Sequence, residues 1–208
     1  MLSNAKELTR TLFGFLTRKS KNHPQLLMWY HLDESPAQSE LHTDYKIRNF
    51  RSGEERAWAE LLNSCGELGS WTKDRVRNEL LERLCVNGQF FASMGDKLAA
   101  GAGLYDGERE GKPCWEIGWV VTHPQHQGLG LGRQVTEAAV RAALALPTRP
   151  IFLMTDDFRI PALRLYLKLG FAPDLLHSSY RARWNKLGPR LGQEYKAIID
   201  RYLKVIAQ

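Results

Sequence analysis

The stretch "VVTHPQHQGLGLGRQV", residues 120–135, places glycine at 128, 130 and 132 between an apolar run and a helical pattern. Glycine costs backbone entropy on folding, so a cluster of them at a strand-to-helix turn needs a reason. Either the turn is tight, or an anion lies directly against the main chain. The first N–H groups of a helix have no intrahelical partner, and the helix dipole adds partial positive charge there. With the β-carbons gone, a diphosphate can approach those groups directly. Two anion loops do not fit. A Walker loop ends in Gly-Lys-Ser/Thr, whereas this one continues Gly132-Arg133-Gln134. A dinucleotide loop needs G-x-G-x-x-G after the first strand of a βαβ unit; here the spacing is G-x-G-x-G.

Outward from the turn, the apolar and polar residues sort into short elements. "DYKIRNF" (44–50) alternates as a strand does, with Tyr45, Ile47 and Asn49 on one face. "SGEERAWAELLNSC" (52–65) predicts a helix with Ser52 as N-cap and an apolar stripe of Trp58, Leu61 and Leu62. "TKDRVRNELLERLC" (72–85) repeats Val76, Leu80, Leu81 and Leu84 at helical intervals. Strands follow at 88–94, 97–106 and 114–122, with hairpin turns at "GD" (95) and "DGEREGKP" (106). After the glycine turn, Leu131, Val135, Ala138, Ala139 and Ala142 make a helical stripe. "IFLMT" (151–155) predicts a buried strand, and "IPALRLYLKLGF" (160–171) a helix with Pro161 in its first turn and Gly170 at its end. "SYRARW" (179–184) is expected to be a final strand. Hairpins first and a βαβα segment second make a mixed sheet in an α/β (α+β) domain.

Two motifs carry a resemblance. "QGLGLG" (127–132) matches Q/R-x-x-G-x-G/A, and "PALRLYLKLGF" (161–171) is similar to A-x-x-x-Y-x-x-x-G-F. Together they resemble the two signatures of the GCN5-related N-acetyltransferases (GNAT superfamily), over roughly residues 44–185. The resemblance implies a mostly antiparallel central sheet flanked by helices, with a V-shaped opening between two parallel central strands, here 114–122 and 151–155. It implies acetyl-CoA as co-substrate in that opening. The N–H groups of Gln127, Gly128, Leu129, Gly130, Leu131, Gly132 and Arg133 would cradle its pyrophosphate. The edge at Val120 and Val121 would bind its pantetheine, with the Val121 N–H as oxyanion donor. The signature's usual asparagine is replaced by Arg159, which is left to meet a CoA phosphate, an acidic substrate or solvent.

Acetyl transfer to an amine needs a base for the amine, a donor for the thioester oxygen and an acid for the leaving thiolate. Tyr166 stands where the family carries a tyrosine near the CoA sulfur, so it is the candidate acid; otherwise it fills the core. Glu116 lies among Trp115, Ile117 and Trp119, surroundings that would raise a carboxylate's pKa by desolvation and suit a base. Its other reading is a salt-bridged structural residue. Glu67, in the loop "SCGELGSW" (64–71), is a further amine-attracting carboxylate. His123 and His126 form H-x-x-H without further ligands in sequence, so no metal is expected. Cys114 reads as a buried small residue, and Asp156 and Asp157 as helix caps.

The expected function is acetyl-CoA-dependent N-acetyl transfer to a primary amine of a small molecule, peptide or protein. The alternative is a catalytically silent acyl-CoA-binding module acting through a protein partner. Composition narrows the field. The 208 residues carry 29 Lys and Arg against 23 Asp and Glu, a net charge of +6 without a basic run or a zinc-finger spacing, so no nucleic acid is expected. No apolar run approaches the roughly 18 residues of a membrane span. Cys65, Cys85 and Cys114 are odd in number and far apart, which excludes a disulfide framework and points to the cytoplasm. Residues 1–43 read as an extension with a docking helix, "LLMWYHL" (26–32) and a polar linker. Residues 186–208 read as a C-terminal helix. Their apolar residues must bury on the domain or on a second subunit, so a homodimer is one expectation.

Overall fold

Two glycine turns organise the antiparallel half of the sheet. At the first, Gly95 (φ +58°) starts the connection between Met94 and Lys97. At the second, Glu110 (φ +52°) and Gly111 (φ +75°) both take left-handed conformations between the paired residues Arg109 and Lys112. That is the geometry of a two-residue turn whose twist matches the flanking strands. The computed structural model describes residues 23–200 apart from 32–35, 37, 38, 41, 43, 194 and 197. The helix expected in the N-terminal extension, most of the expected linker and the end of the expected C-terminal helix therefore lie outside the described residues.

The described strands are β1 (Leu26–Tyr30), β2 (Lys46–Asn49), β3 (Leu84–Met94), β4 (Lys97–Arg109), β5 (Lys112–Thr122), β6 (Ile151–Thr155) and β7 (Phe171–Pro173). They form one sheet in the order β2-β3-β4-β5-β6-β1-β7. Neighbours run antiparallel except β5 and β6, which are parallel. The helices are α1 (Glu55–Ser64), α2 (Leu131–Leu144), α3 (Ile160–Lys168) and α4 (Tyr180–Leu191). A helical segment at 73–83 passes from Lys73–Arg75 through a π turn at Val76–Leu80 to a 3₁₀ turn at Leu81–Arg83. The mixed, mostly antiparallel sheet flanked by helices is the expected class.

Side chains divide between the two faces of the sheet. One core joins Leu104, Ile117 and Leu153 of the strands to Leu131, Val135 and Ala139 of α2, Leu163 of α3 and Trp184 of α4. The other joins Phe91, Tyr105 and Val121 to Trp58 and Leu62 of α1 and to Trp71, Val76 and Leu80. Strict alternation would put Ile117 and Val121 on one face, because four residues separate them. A bulge reverses this: the register jumps from Gly103–Gly118 to Gly101–Val121, and Trp119 adopts φ +54°. Its indole packs edge-on against Trp71 at 4.6 Å.

Three expectations change. "SYRARW" is not a strand but the start of α4; Trp184 and Leu187 bury at helical spacing, and Arg164 Nε donates to the Leu191 carbonyl at the far end. Ser52 does not cap α1, which begins at Glu55; Glu54 instead accepts from the Arg51 N–H at 2.9 Å and pairs with Arg48 at 2.7 Å. "LLMWY", read within the extension, is strand β1 between β6 and β7, with Leu26 and Met28 fully buried. These two residues bury on the domain itself, because the strand fills a place in the sheet that no later strand takes.

Candidate functional site

β5 and β6 are joined by a short parallel ladder from Trp115–Ile151 to Ile117–Leu153. Beyond it β5 continues to Thr122 and β6 to Thr155 without pairing to each other, so the strands part in a V. His123 N–H donates to the Ala99 carbonyl at 2.8 Å. By strand alternation Val121 shares that side and faces its register partner Gly101, while Val120 and Thr122 turn their main chain toward the opening. The Val121 N–H expected as oxyanion donor thus faces β4.

The glycine turn lies at the mouth of this V. His123 Nδ1 accepts from the Gln125 N–H at 3.2 Å and starts the turn Pro124–His126, and His126 Nδ1 meets the Tyr45 hydroxyl at 2.8 Å. Gly128 (φ +81°) and Gly130 (φ +74°) have open space where a β-carbon would stand, so their glycines answer to backbone conformation. Gly132 differs: a β-carbon there would come within 2.9 Å of Thr122 Oγ1, so close helix-to-strand packing requires it. Gly130 is the N-cap of α2 and supplies no side-chain cap. The first intrahelical bond runs from Gln134 N–H to the Gly130 carbonyl at 3.2 Å, leaving the Leu131, Gly132 and Arg133 amides ahead of it. Gln127–Gly130 are exposed. The bare, positively polarised helix start beside an open cleft suits a diphosphate. Arg133 offers it main chain only, since its guanidinium pairs with the fully buried Glu137 at 2.7 Å. Ser39 donates to the same carboxylate through N–H and Oγ at 3.1 and 2.7 Å.

Glu116 and Tyr166 lie on opposite faces of the sheet. Glu116 is buried on the α1 side, where Oε2 accepts from Arg83 Nη2 at 2.8 Å. The apolar surroundings expected of it are therefore interrupted by a guanidinium from the helical segment at 73–83. Oε1 is turned along the strand toward Gly118, where a β-carbon would stand 3.6 Å away. Tyr166 is buried among the α2–α3 core; burial pushes its phenol up to about 12, with the Arg159 guanidinium pulling the other way. Arg159 is held by carboxylates, Asp156 at 3.4 Å and Glu67 at 3.7 Å, which ties the loop after α1 to the start of α3.

The remaining candidates are occupied locally. Asp156 accepts from Gln25 at 3.2 Å, and Asp157 pairs with Arg183. Cys114 is buried, which raises its thiol, and its Sγ donates to the Lys112 carbonyl at 3.4 Å. Among the described residues, no three His, Cys, Asp or Glu side chains are grouped so as to hold a metal, and no helix is long and apolar enough to cross a membrane. Sequence reasoning missed Arg83 and Tyr105. The signal lay in Gly103 and Gly118, since glycine inside a strand marks close approach by a side chain, a backbone or a ligand.

The model of the acetyltransferase (GNAT) family matches residues 37–171. A mycothiol acetyltransferase of Geodermatophilus obscurus is 30% identical over 145 residues, covering 65% of this chain and 47% of that protein. One of Nocardiopsis dassonvillei is 32% identical over 157 residues, covering 68% and 46%. The chain spans about half the length of these curated relatives. The crystal structure of a GCN5-related N-acetyltransferase from Sphaerobacter thermophilus shares the fold, with a TM-score of 0.56 at 20% identity over 83% of this chain and 54% of that one.

Proposed function

We propose, from the premise that the chain belongs to the acetyltransferase (GNAT) family, that it moves an acetyl group from acetyl-CoA to a primary amine by direct attack. The observation that carries this reading is the V between β5 and β6 with the uncapped start of α2 at its mouth. The amides of Gln127–Arg133 bind the pyrophosphate, and the opening-facing main chain of Val120 and Thr122 binds the pantetheine. Val121 contributes its side chain to the wall of the adjoining core. Arg159 braces the loop after α1 and leaves the phosphates to the glycine turn.

The two candidate proton carriers flank the cleft, so the amine and the thiol are served from different sides. Glu116 Oε1 takes the proton from the incoming amine as nitrogen bonds to the acetyl carbon and the carbon–sulfur bond breaks. Tyr166, whose phenol remains protonated at neutral pH, gives its proton to the departing sulfur. The acceptor is a small molecule or a peptide amine, reached from the face of α1 and the loop 64–71. The unpaired thiols of Cys65, Cys85 and Cys114 accord with a cytoplasmic location.

Calorimetric titration with CoA, together with release of free thiol from acetyl-CoA across amines, amino acids and N-terminal peptides, tests the reading. Binding with amine-dependent thiol release supports it. Binding without release from any acceptor would leave an acyl-CoA-binding module, and absence of binding would remove both.

A further inference from the structure

The loop between α1 and the 73–83 segment is fastened to both of the strands that part. On the β5 side the Trp71 indole packs edge-on against Trp119 at 4.6 Å, and its Nε1 donates to the Leu68 carbonyl at 2.7 Å. Asn63 clasps the Trp71 main chain, accepting from its N–H at 2.8 Å and donating to its carbonyl at 2.9 Å. On the β6 side Arg159, in the connection that follows the strand's end at Thr155, donates through Nη2 to the Glu67 carbonyl at 3.3 Å and faces the Glu67 carboxylate at 3.7 Å. The ladder between β5 and β6 ends at Ile117–Leu153, so both fastenings lie on its open side. The loop therefore crosses the gap on the α1 face, meeting β5 beside Gly118, toward which Glu116 Oε1 is turned.

The two fastenings are unequal. Leu68 and Trp71 are buried and belong to the core beneath α1. The Glu67 side chain is 53% exposed, and its carboxylate stands beyond hydrogen-bond distance of Arg159 Nε, a buried atom with no hydrogen-bond partner among the described residues. Arg159 is shared with Asp156 at 3.4 Å. An ion pair with so exposed a member holds weakly and is screened by salt. Gly66 (φ +68°) and Gly69 (φ +84°) flank Glu67 and Leu68 in left-handed conformations that glycine enters and leaves at little cost. Glu67 can therefore leave Arg159 while Trp71 keeps its place against β5.

We infer that the contact between Glu67 and Arg159 is a latch that selects acceptors by size: a slender amine passes the closed loop to reach Glu116, and a bulky one enters only when Glu67 lets go. This rests on the reading that the amine approaches Glu116 from the α1 face. The pairing of Trp71 with Trp119 holds one end of the loop to β5, so releasing the other end uncovers the gap without opening the core. Asp156 keeps the guanidinium on the β6 side while Glu67 is away, ready for the loop to close again.

Two measurements on the native protein and Glu67→Gln test this. Amide hydrogen exchange over residues 65–70 is expected to quicken about two- to fivefold in the variant, the range an exposed ion pair supplies, with α1 and β5 unchanged. Thiol release from acetyl-CoA is followed with primary amines graded from ethylamine to tryptamine. The kcat/KM for the bulky members relative to the slender ones is expected to rise about two- to fivefold in Glu67→Gln. Raising the salt concentration should move the native ratio the same way and leave that of the variant where it is. Arg159→Gln, which also removes the bond to the Glu67 carbonyl, should do at least as much, with Glu67→Gln adding nothing to it. Unchanged exchange overturns the latch whatever the protein acetylates, and quickened exchange with an unchanged ratio overturns its control of the acceptor. A native protein that acetylates no amine overturns the proposal together with the transferase reading, whereas transfer at a fixed ratio overturns it alone.

Discussion

Arg83 Nη2 donates to Glu116 Oε2 at 2.8 Å, tying the last turn of the 73–83 segment to the middle of β5. The carboxylate is the more deeply buried partner, with 11% of its side chain exposed against 36% for the arginine. Removing one member leaves the other poorly compensated, whereas removing both does not. Thermal or urea unfolding of Arg83→Met, Glu116→Gln and the double variant is expected to give a coupling of about 1–3 kcal/mol. On activity, Glu116→Gln should lower kcat at least about tenfold with little change in CoA affinity. Additive stabilities would show that the pair contributes nothing beyond its separate members.

Gly130 and Gly132 are expected to fail for different reasons. Gly130→Val forces a β-branched residue to φ +74°, which costs about 1–2 kcal/mol, and puts a side chain into the open space through which the diphosphate would approach. Gly132→Ala drives its β-carbon to within 2.9 Å of Thr122 Oγ1. Both should weaken CoA binding by about tenfold or more, read by calorimetry on protein whose circular dichroism is unchanged. Adding Thr122→Ala should restore stability to Gly132→Ala and leave Gly130→Val as it was. Undiminished CoA affinity in folded variants would sink the assignment of the turn.

Tyr166 links catalysis to alkaline stability. Burial pushes its phenol up to about 12 in the folded protein, above the ordinary tyrosine range near 10. The neutral form is therefore favoured in the folded state, and stability is complete below pH 10 and lost as pH rises from 10 through 12, by up to about 1.4 kcal/mol per pH unit. Tyr166→Phe should flatten part of that fall in melting temperature. At neutral pH it should lower kcat by about tenfold to a hundredfold without raising the KM for acetyl-CoA. An unaltered kcat would return the residue to a packing role.

Glu137 is the buried acceptor that gathers Arg133 and Ser39 against α2. Glu137→Gln keeps the shape but replaces the charge facing Arg133, and should cost about 1–3 kcal/mol, seen as a lower urea midpoint. A midpoint within error of the native protein would show the contacts to be incidental.

Met28 tests where the folding unit begins. It is fully buried in β1, between β6 and β7. Met28→Ala should destabilise by about 2–5 kcal/mol, as for a central core residue, measured by urea unfolding. A loss below about 0.5 kcal/mol would return residues 26–30 to an appendage, since surface changes usually stay within that range.

Much of the fold was legible in local sequence. The glycine spacing before Leu131, the Tyr166–Gly170–Phe171 signature, the hairpin turn at Gly111 and the helical stripes report short-range constraints, namely positive φ, side-chain periodicity and an uncapped helix start. "SYRARW" misled because alternating aromatic and charged residues fit a strand as well as a helix whose buried side chains, Tyr180, Trp184 and Leu187, recur at three and four residues. Long-range placement was beyond such signals. That Leu26–Tyr30 slots between β6 and β7, that Trp119 bulges and so changes the face of Val121, and that Arg83 reaches Glu116 while Tyr105 lies over Gly103 depend on residues far apart in the chain meeting in space. Periodicity encodes which face of an element is apolar, but not which partner covers it; only the assembled sheet brings the Arg83 guanidinium, the Glu116 carboxylate and the Tyr105 ring together on one of its faces.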